Sequence, residues 1–212
     1  MGGSAGTDSM TVLTKTEVQA ALSPYHSLVR KVVNDAWAEV RQTQALRGEA
    51  GLAPLLYSRT TANLMFDAIA RRAIPAFHAE AGAMLLMEAQ TFKVIVGGVI
   101  LRFKKGGDDK LGCNIPTQAA LAFAEADGVL PGMPPECGKV EVIWRANSIG
   151  TALECVLVVA RDGDRLLWDY EIAPNPSTDV VPLPITPQDP NDDDAGDLVK
   201  PKSKPAASNE NQ

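Results

Sequence analysis

The sequence contains few of the residues on which metal sites and secreted scaffolds depend. It has three cysteines and two histidines among 212 residues, and no two cysteines are spaced as Cys-x-x-Cys. So few cysteines argue against a disulfide-built fold, and we expect each to be a small core residue. The motifs of zinc proteases, serine hydrolases and P-loop proteins are also missing. These absences favour a non-enzymatic protein without a cofactor.

Long apolar runs are missing as well. The longest one, Val94–Leu101, is broken by Gly97 and Gly98, whereas a helix that spans a membrane needs about 20 apolar residues. The first ten residues are rich in glycine and serine and do not resemble a secretory signal. We therefore expect a cytoplasmic protein that does not associate with membranes.

Charge and proline are distributed unevenly along the chain. The net charge is −6, from 20 basic and 26 acidic residues, which argues against a generally basic nucleic-acid-binding protein but permits a local basic patch. Residues 174–212 contain eight of the 15 prolines, seven acidic residues, three lysines and no aromatic residue. Such a segment buries too little apolar surface to fold. The sequence thus predicts a flexible N-terminus (1–15), one domain (16–173) and a disordered acidic, proline-rich tail (174–212).

Hydrophobic periodicity predicts helices followed by strands. Apolar residues recur with helical spacing from Ser23-Pro24 to Gly48, and again from Ser58 to Pro75. Two hairpins turn at Gly97-Gly98 and Asp162-Gly163, with a single strand around Val142 between them. The expected fold is α+β: an antiparallel sheet of about five strands, packed on one face by amphipathic helices. Residues 84–90 are a candidate sixth strand.

Both hairpins show one apolar face when they are paired outward from their turns. In the first hairpin Val96 lies opposite Val99 and Phe92 opposite Phe103. In the second, pairing from Asp162-Gly163 places Leu157 opposite Trp168. The outer faces then carry opposite charges, and we expect both of them to be exposed to solvent.

The outer face of the first hairpin is basic. Lys93 faces Arg102, with Lys104 beside them, and like charges placed opposite each other destabilise a sheet by about 0.2–1 kcal/mol. An anion or a nucleic-acid phosphate would offset this repulsion, although lysines on a strand face also discourage aggregation without any ligand. Arg59, Asn63 and Arg71 on the second helix are of the types that contact phosphates or base edges. The candidate ligand-binding or nucleic-acid-binding residues are Lys93, Arg102, Lys104, Lys105, Arg59 and Arg71.

The outer face of the second hairpin is acidic. The predicted register places Glu154 opposite Glu171 with Asp169 on the same face, and Glu141 on the neighbouring strand is expected to join them. Clustered carboxylates hold hard cations such as Mg²⁺, so Glu154, Asp169 and Glu171 are candidate metal ligands. Salt bridges to nearby basic residues explain the same pattern without a metal.

Four segments carry a resemblance to other proteins: SPYHSLVRKVVNDAW, YSRTTANLMFDAIARRA, RFKKGGDDKLGCNIPTQ and LLWDYEI. Together they resemble uncharacterised bacterial proteins encoded beside helix-turn-helix regulators that carry a zinc metallopeptidase domain. The resemblance implies a protein partner, such as that regulator, and a regulatory role in a toxin–antitoxin-like, stress or phage-response operon. It supplies no catalytic motif.

Three functional hypotheses follow from the sequence. The first is a non-enzymatic regulatory or interaction module that binds a protein partner. The second is a nucleic-acid-binding protein that uses the basic hairpin. The third is a metal-dependent phosphodiesterase that uses the carboxylate cluster.

Overall fold

The computed structural model describes residues 10–113, 117–128 and 130–174, so the predicted tail lies almost wholly outside the described residues. The helices are α1 (Lys15–Leu22), α2 (His26–Glu49), α3 (Ser58–His78) and α4 (Gln118–Ala124), with a 3₁₀ turn (Ser23–Tyr25) joining α1 to α2. The strands are β1 (Met84–Met87), β2 (Phe92–Val96), β3 (Val99–Lys105), β4 (Gly138–Ala146), β5 (Leu153–Asp162) and β6 (Arg165–Glu171).

The strands form one sheet in which spatial order follows chain order from β1 to β6. The α+β class is confirmed, and the candidate sixth strand is present over residues 84–87. The prediction of a wholly antiparallel sheet was wrong, because β3 runs parallel to β4. A parallel pair needs a crossover connection, which here comprises residues 106–137 and includes α4. We call this segment the crossover.

Helices α2 and α3 cover the inner face of the sheet. Their buried residues recur every three or four positions, as in Val29, Val33, Ala36 and Val40 of α2, so each helix has one apolar side. The ring of Trp37 packs against Trp144 of β4, with 6.1 Å between the ring centroids. The main core therefore lies between these helices and the sheet.

The predicted register of the first hairpin is confirmed. Val94 pairs with Leu101 and Val96 with Val99, and the rings of Phe92 and Phe103 stack 5.7 Å apart. The turn residues Gly97 and Gly98 both have positive φ angles, of 56° and 73°. A two-residue turn of this kind matches the twist of its strands and favours glycine.

The predicted register of the second hairpin was wrong. Its turn is Gly163-Asp164, because Asp162 pairs with Arg165, and a bulge follows between Ala160 and Arg161. Trp168 consequently pairs with Ala160, and Leu157 pairs with Glu171. The residues from Cys155 to Ala160 are apolar without alternation, so no local pattern distinguishes one register from the other.

The crossover covers the outer face of the sheet, contrary to the expectation of two exposed charged faces. Leu111 packs with Ile143, Leu157 and Val159, and a separate apolar cluster joins Phe123 of α4 to its neighbours on β2 and β3. The side chains of Lys93 and Arg102, which the hairpin pattern placed in solvent, are buried beneath it.

A buried ion pair connects the crossover to the sheet. Glu141 of β4 is 1% exposed, and its Oε2 lies 3.5 Å from Nη1 of Arg161 on β5. The backbone N–H of Gly112 donates to the same Oε2 at 3.0 Å, and Arg161 donates to the carbonyl oxygen of Gly112 at 3.3 Å. A Cβ on Gly112 would lie 2.5 Å from that carboxylate oxygen, so the approach requires glycine.

Residues 10–15 pack against the body, although the sequence placed them in a flexible N-terminus. Met10 is buried, and the indole N–H of Trp168 donates to the carbonyl oxygen of Leu13. Thr14 forms a reciprocal capping box with Glu17 at the start of α1. The packed body therefore begins at Met10 among the described residues.

We expect Glu141→Ala to lower the free energy of unfolding by about 3 kcal/mol, because it leaves the buried Arg161 with only the exposed carboxylate of Asp164 and removes the acceptor of the Gly112 N–H. The control is Glu154→Ala, whose exposed pair with Arg145 contributes less than about 1 kcal/mol. Urea unfolding followed by circular dichroism measures both. Equal losses in the two variants would contradict a role for Glu141 in holding the crossover.

A basic cleft as the candidate functional site

A cleft of about 640 Å³ opens at the sheet edge where β2 begins. Lys104 and Lys105 pair with β4 there, beyond the residues of β3 that pair with β2. The first three turns of α3 form one wall, the β1–β2 connection forms the second, and the start of α4 forms the third. The cleft thus lies between the inner helices and the crossover.

Positive charge dominates the lining of this cleft. It contains a single carboxylate, Glu88, among its described residues, so its formal charge is +4. Glu88 pairs with Lys93, and the guanidinium of Arg102 lies 4.9 Å from the ring centroid of Phe123. The basic cleft is defined by five cationic residues: Arg59, Lys93, Arg102, Lys104 and Lys105.

Lys104 is a partly buried cation of this cleft, and no ion-pair partner among the residues described balances its charge. Within the described residues its amine makes no hydrogen bond and no ion pair. Burial, and then the positive charge of Arg102, lower the pKa of Lys104 to about 8. Burial also lowers the pKa of Arg102. The fold therefore holds like charges together in a partly desolvated place, which is typical of functional sites.

Neutral side chains complete the cleft. Half-buried Phe66 and Ala62 form an apolar wall on α3, and exposed Asn63 lies beside them. The guanidinium of Arg59 lies over the ring of Tyr57, 4.9 Å from its centroid. The cleft therefore combines cations with an apolar surface and an amide.

Cys113 is exposed in the lining of the basic cleft. The expectation that every cysteine is a small core residue was therefore wrong for Cys113. Cys137 is buried and Cys155 half-buried, and burial raises the pKa of both thiols. The position of Cys113 follows from the return of the crossover towards Lys105, whose carbonyl oxygen accepts a hydrogen bond from the Cys113 N–H. A sequence pattern alone does not reveal this return.

The structure brings together five of the six candidate binding residues and separates the sixth. Arg71 lies on the side of α3 that faces α2, where it and Arg72 both pair with Glu39. Three further residues line the cleft that the sequence did not identify as candidates: Ser58, Phe66 and Thr117. The helical spacing of Ser58, Ala62 and Phe66 was the only available signal, and it does not show which surface they line.

The three candidate metal ligands do not come together. Glu154 pairs with Arg145 at 3.1 Å, Asp169 with Lys110 at 2.9 Å, and Glu171 lies 3.9 Å from Arg30.

The register of β5 and β6 explains this separation, because Glu171 lies opposite Leu157 rather than Glu154. In the part of the chain that the structure describes, no group of three or more histidine, cysteine or acidic residues is arranged to hold a metal ion.

A second, larger cleft of about 1160 Å³ adjoins the basic cleft and shares Ser58, Lys105, Cys113 and Trp144 with it. It lies between the end of α2, the α2–α3 connection and the β4–β5 turn. Large apolar residues are exposed in or beside it: Leu46, Leu52, Leu56, Tyr57 and Ile149. We call this the apolar cleft.

No family model, curated protein or solved structure matches the chain. None of the helices in the described ranges has both the length and the apolar character needed to cross a bilayer. The function must therefore be argued from the two clefts.

We expect Lys104→Met to stabilise the protein at pH 7 and to lose this effect at high pH. Between pH 8 and the ordinary lysine pKa of 10.5, the unfolded chain holds a proton that the folded protein lacks, so the free energy of unfolding rises with pH. Because water still screens part of the charge, the gain at pH 7 is about 1 kcal/mol. Thermal unfolding from pH 6 to 10.5 measures it, with exposed Lys15→Met as the control. Equal behaviour of the two variants would contradict the burial of a charged amine.

Proposed function

We propose that this protein is a non-enzymatic binding module whose basic cleft takes the phosphate groups of a single-stranded nucleic acid. One observation carries the proposal: five cations and one carboxylate line a single cleft, in a chain whose net charge is −6. Residues 174–212 account for −4 of that total, so the rest of the chain is close to neutral. The local excess of +4 is therefore a property of the cleft and not of the composition.

An anion would relieve an unfavourable arrangement in the free protein. Lys104 has no ion-pair partner among the described residues and stands beside Arg102, whose guanidinium is also buried. Each charge opposes the other and each is partly removed from water. A bound phosphate would supply the missing counter-charge, and it would make charge-assisted hydrogen bonds to both groups.

The shape of the cleft favours a single strand over a duplex. Lys93 and Arg102 are only 6% and 7% exposed and lie within the cleft, whereas the phosphates of a duplex lie on a wide, convex cylinder. A single strand can enter such a groove and stack a base on an apolar wall such as Phe66. Asn63 is suitably placed to contact a base edge.

We expect a fluorescein-labelled ten-nucleotide oligothymidylate to bind at 50 mM salt, with an affinity that falls about 50-fold at 200 mM if four phosphates are contacted. Lys104→Glu and Lys105→Glu should each weaken binding at least tenfold and reduce the salt dependence. The matched control is Lys15→Glu, which makes the same charge change on exposed α1. Fluorescence anisotropy measures the affinities.

Three results would overturn this proposal. They are no binding at low salt, binding that the Lys104 and Lys105 reversals leave unchanged, and equally tight binding of a duplex hairpin of the same length. Circular dichroism melts of each variant show whether a loss of binding reflects a loss of the fold. Lys105→Gln, which removes charge without introducing an acid, serves as the milder variant.

A second proposal, which a different observation favours, is a protein partner at the apolar cleft. Leu56 and Ile149 are 81% and 76% exposed, and Leu52 is also more than half exposed. Clustered exposed apolar side chains are characteristic of protein-binding surfaces. The resemblance drawn from the sequence implies that the partner is a helix-turn-helix regulator with a metallopeptidase domain.

We expect the protein to co-elute in size-exclusion chromatography with the regulator encoded beside it. The double substitution Leu52→Glu and Ile149→Glu should abolish the complex, because both residues line the apolar cleft and two charges are placed in it. Leu121→Glu, on exposed α4, is the control and should bind normally. Co-elution that survives the double substitution, or no co-elution of the unmodified protein, would exclude this surface.

A further inference from the structure

We propose that Lys104 is a nucleophile and forms a Schiff base with ligands that carry both a phosphate group and an aldehyde. Two sources share this chemistry: small phosphorylated aldehydes, and the open-chain sugar of an abasic site in single-stranded DNA. The inference rests on the proposed function in one respect, because the basic cleft must hold the phosphate.

Lys104 has a distinct position in the basic cleft. Its side chain lines the cleft, and among the described residues no acceptor engages its amine. The backbone of Gly112 restrains its stem, since a Cβ at that glycine would lie 2.9 Å from the Cβ of Lys104. The Lys104 side chain is thus held at the cleft, and its amine makes no hydrogen bond or ion pair within the described residues.

Other lysines of the outer layer differ in this respect. Lys93 pairs with Glu88, and Lys110 pairs with Asp169 at 2.9 Å. Lys139 donates to three carbonyl oxygens at the end of α4, those of Ala122, Glu125 and Gly128. Burial lowers the pKa of Lys139 to about 8 as well, so its pKa does not distinguish it from Lys104. The difference is that the amines of Lys93, Lys110 and Lys139 are held by acceptors of the fold, whereas no acceptor among the described residues engages Lys104.

A nucleophilic amine must be neutral, and the surroundings of Lys104 favour that state. With a pKa of about 8, about one molecule in ten is neutral at pH 7, against fewer than about one in a thousand for an ordinary lysine. Glu141 opposes the shift, but its carboxylate is already engaged by Arg161. The charged and titratable groups around the amine are Arg102 and Lys105 on β3, Glu141 on β4, Cys113 at the crossover, Arg59 on α3, and Glu88 and Lys93 at the β1–β2 edge.

The remaining cations can hold the phosphate while Lys104 reacts. Arg59, Arg102 and Lys105 line the same cleft, so three cations remain for the phosphate when the amine of Lys104 reacts. A ligand anchored by its phosphate would keep its aldehyde near the amine, which raises the effective concentration of the reacting groups.

The reaction balances without an oxidant or a reductant. The lone pair of the Lys104 nitrogen attacks the aldehyde carbon, the C–N bond forms, and the carbonyl oxygen takes a proton from water to give a carbinolamine. The nitrogen returns the first of its two protons to the solvent, and its lone pair then expels the hydroxyl, which takes a proton from the solvent and leaves as water. The second nitrogen proton returns to the solvent, leaving a C=N bond. The aldehyde oxygen leaves in that water molecule.

The first experiment uses pyridoxal 5′-phosphate as the probe on the full chain at pH 7.5, followed by borohydride reduction and peptide mass spectrometry. We expect at least tenfold higher occupancy at Lys104 than at Lys15 or Lys139. Inorganic phosphate should suppress the modification, and pyridoxal without its phosphate should react less. Occupancy at Lys104 no greater than at Lys15 would overturn the inference.

The second experiment uses a single-stranded oligonucleotide with one abasic site, reduced with borohydride and analysed on a denaturing gel. Lys104→Arg should abolish the covalent product, because arginine is not a nucleophile, whereas the control Lys15→Arg should be trapped like the unmodified protein. If both probes are trapped on Lys104, the inference is supported and DNA is one source of the aldehyde. Modification by pyridoxal 5′-phosphate alone supports it for small aldehydes.

The two experiments also separate this inference from the proposed function. If neither probe modifies Lys104 but the intact oligonucleotide binds, the Schiff base is excluded and the binding function stands. If the oligonucleotide does not bind and pyridoxal 5′-phosphate modifies Lys104, the site is one for small phosphorylated aldehydes and the nucleic-acid proposal falls. If neither binding nor modification occurs, both proposals fall.

Discussion

The carboxylate of Glu141 determines how the outer layer is arranged on the sheet. It is almost fully buried, lies 3.5 Å from the Arg161 guanidinium and accepts the N–H of Gly112. A buried ion pair contributes little net stability against an apolar replacement, but it specifies one geometry because neither partner can be left alone. Here that geometry places the crossover over β3 and β4. One wall of the basic cleft, the restraint on Lys104 and the position of Cys113 all depend on this contact.

The cleft concentrates charges that a purely structural surface would disperse. Several cations elsewhere in the described residues face a carboxylate or a carbonyl oxygen, as Lys110 faces Asp169 and Lys139 faces the end of α4. In the cleft, burial lowers the pKa of both Arg102 and Lys104, and the positive charge of Arg102 lowers the pKa of Lys104 further. Holding partly desolvated cations together costs the folded protein some stability.

The sequence predicted the parts of this fold that local rules determine. The turn at Gly97-Gly98 determines the register of the first hairpin without a bulge, and five of six candidate cations line one cleft. The predicted register of the second hairpin was wrong because β5 is apolar on both faces and its bulge leaves no sequence signature. The parallel β3–β4 pair was not predicted for a different reason. A seven-residue helix and a proline-rich connection do not show that the chain returns to form a parallel pair. The metal hypothesis depended on the wrong register and failed with it.

The linear order of the strands has a consequence for how the chain folds. Short connections join every neighbouring pair in the described sheet except β3 and β4, which are separated by residues 106–137. Closing a loop of 32 residues instead of two costs about 2.5 kcal/mol more in chain entropy. The hairpins can therefore form early from local contacts, whereas the β3–β4 junction must await a distant closure. Since the basic cleft is complete only after that closure, a partly loosened chain loses the cleft before it loses its hairpins.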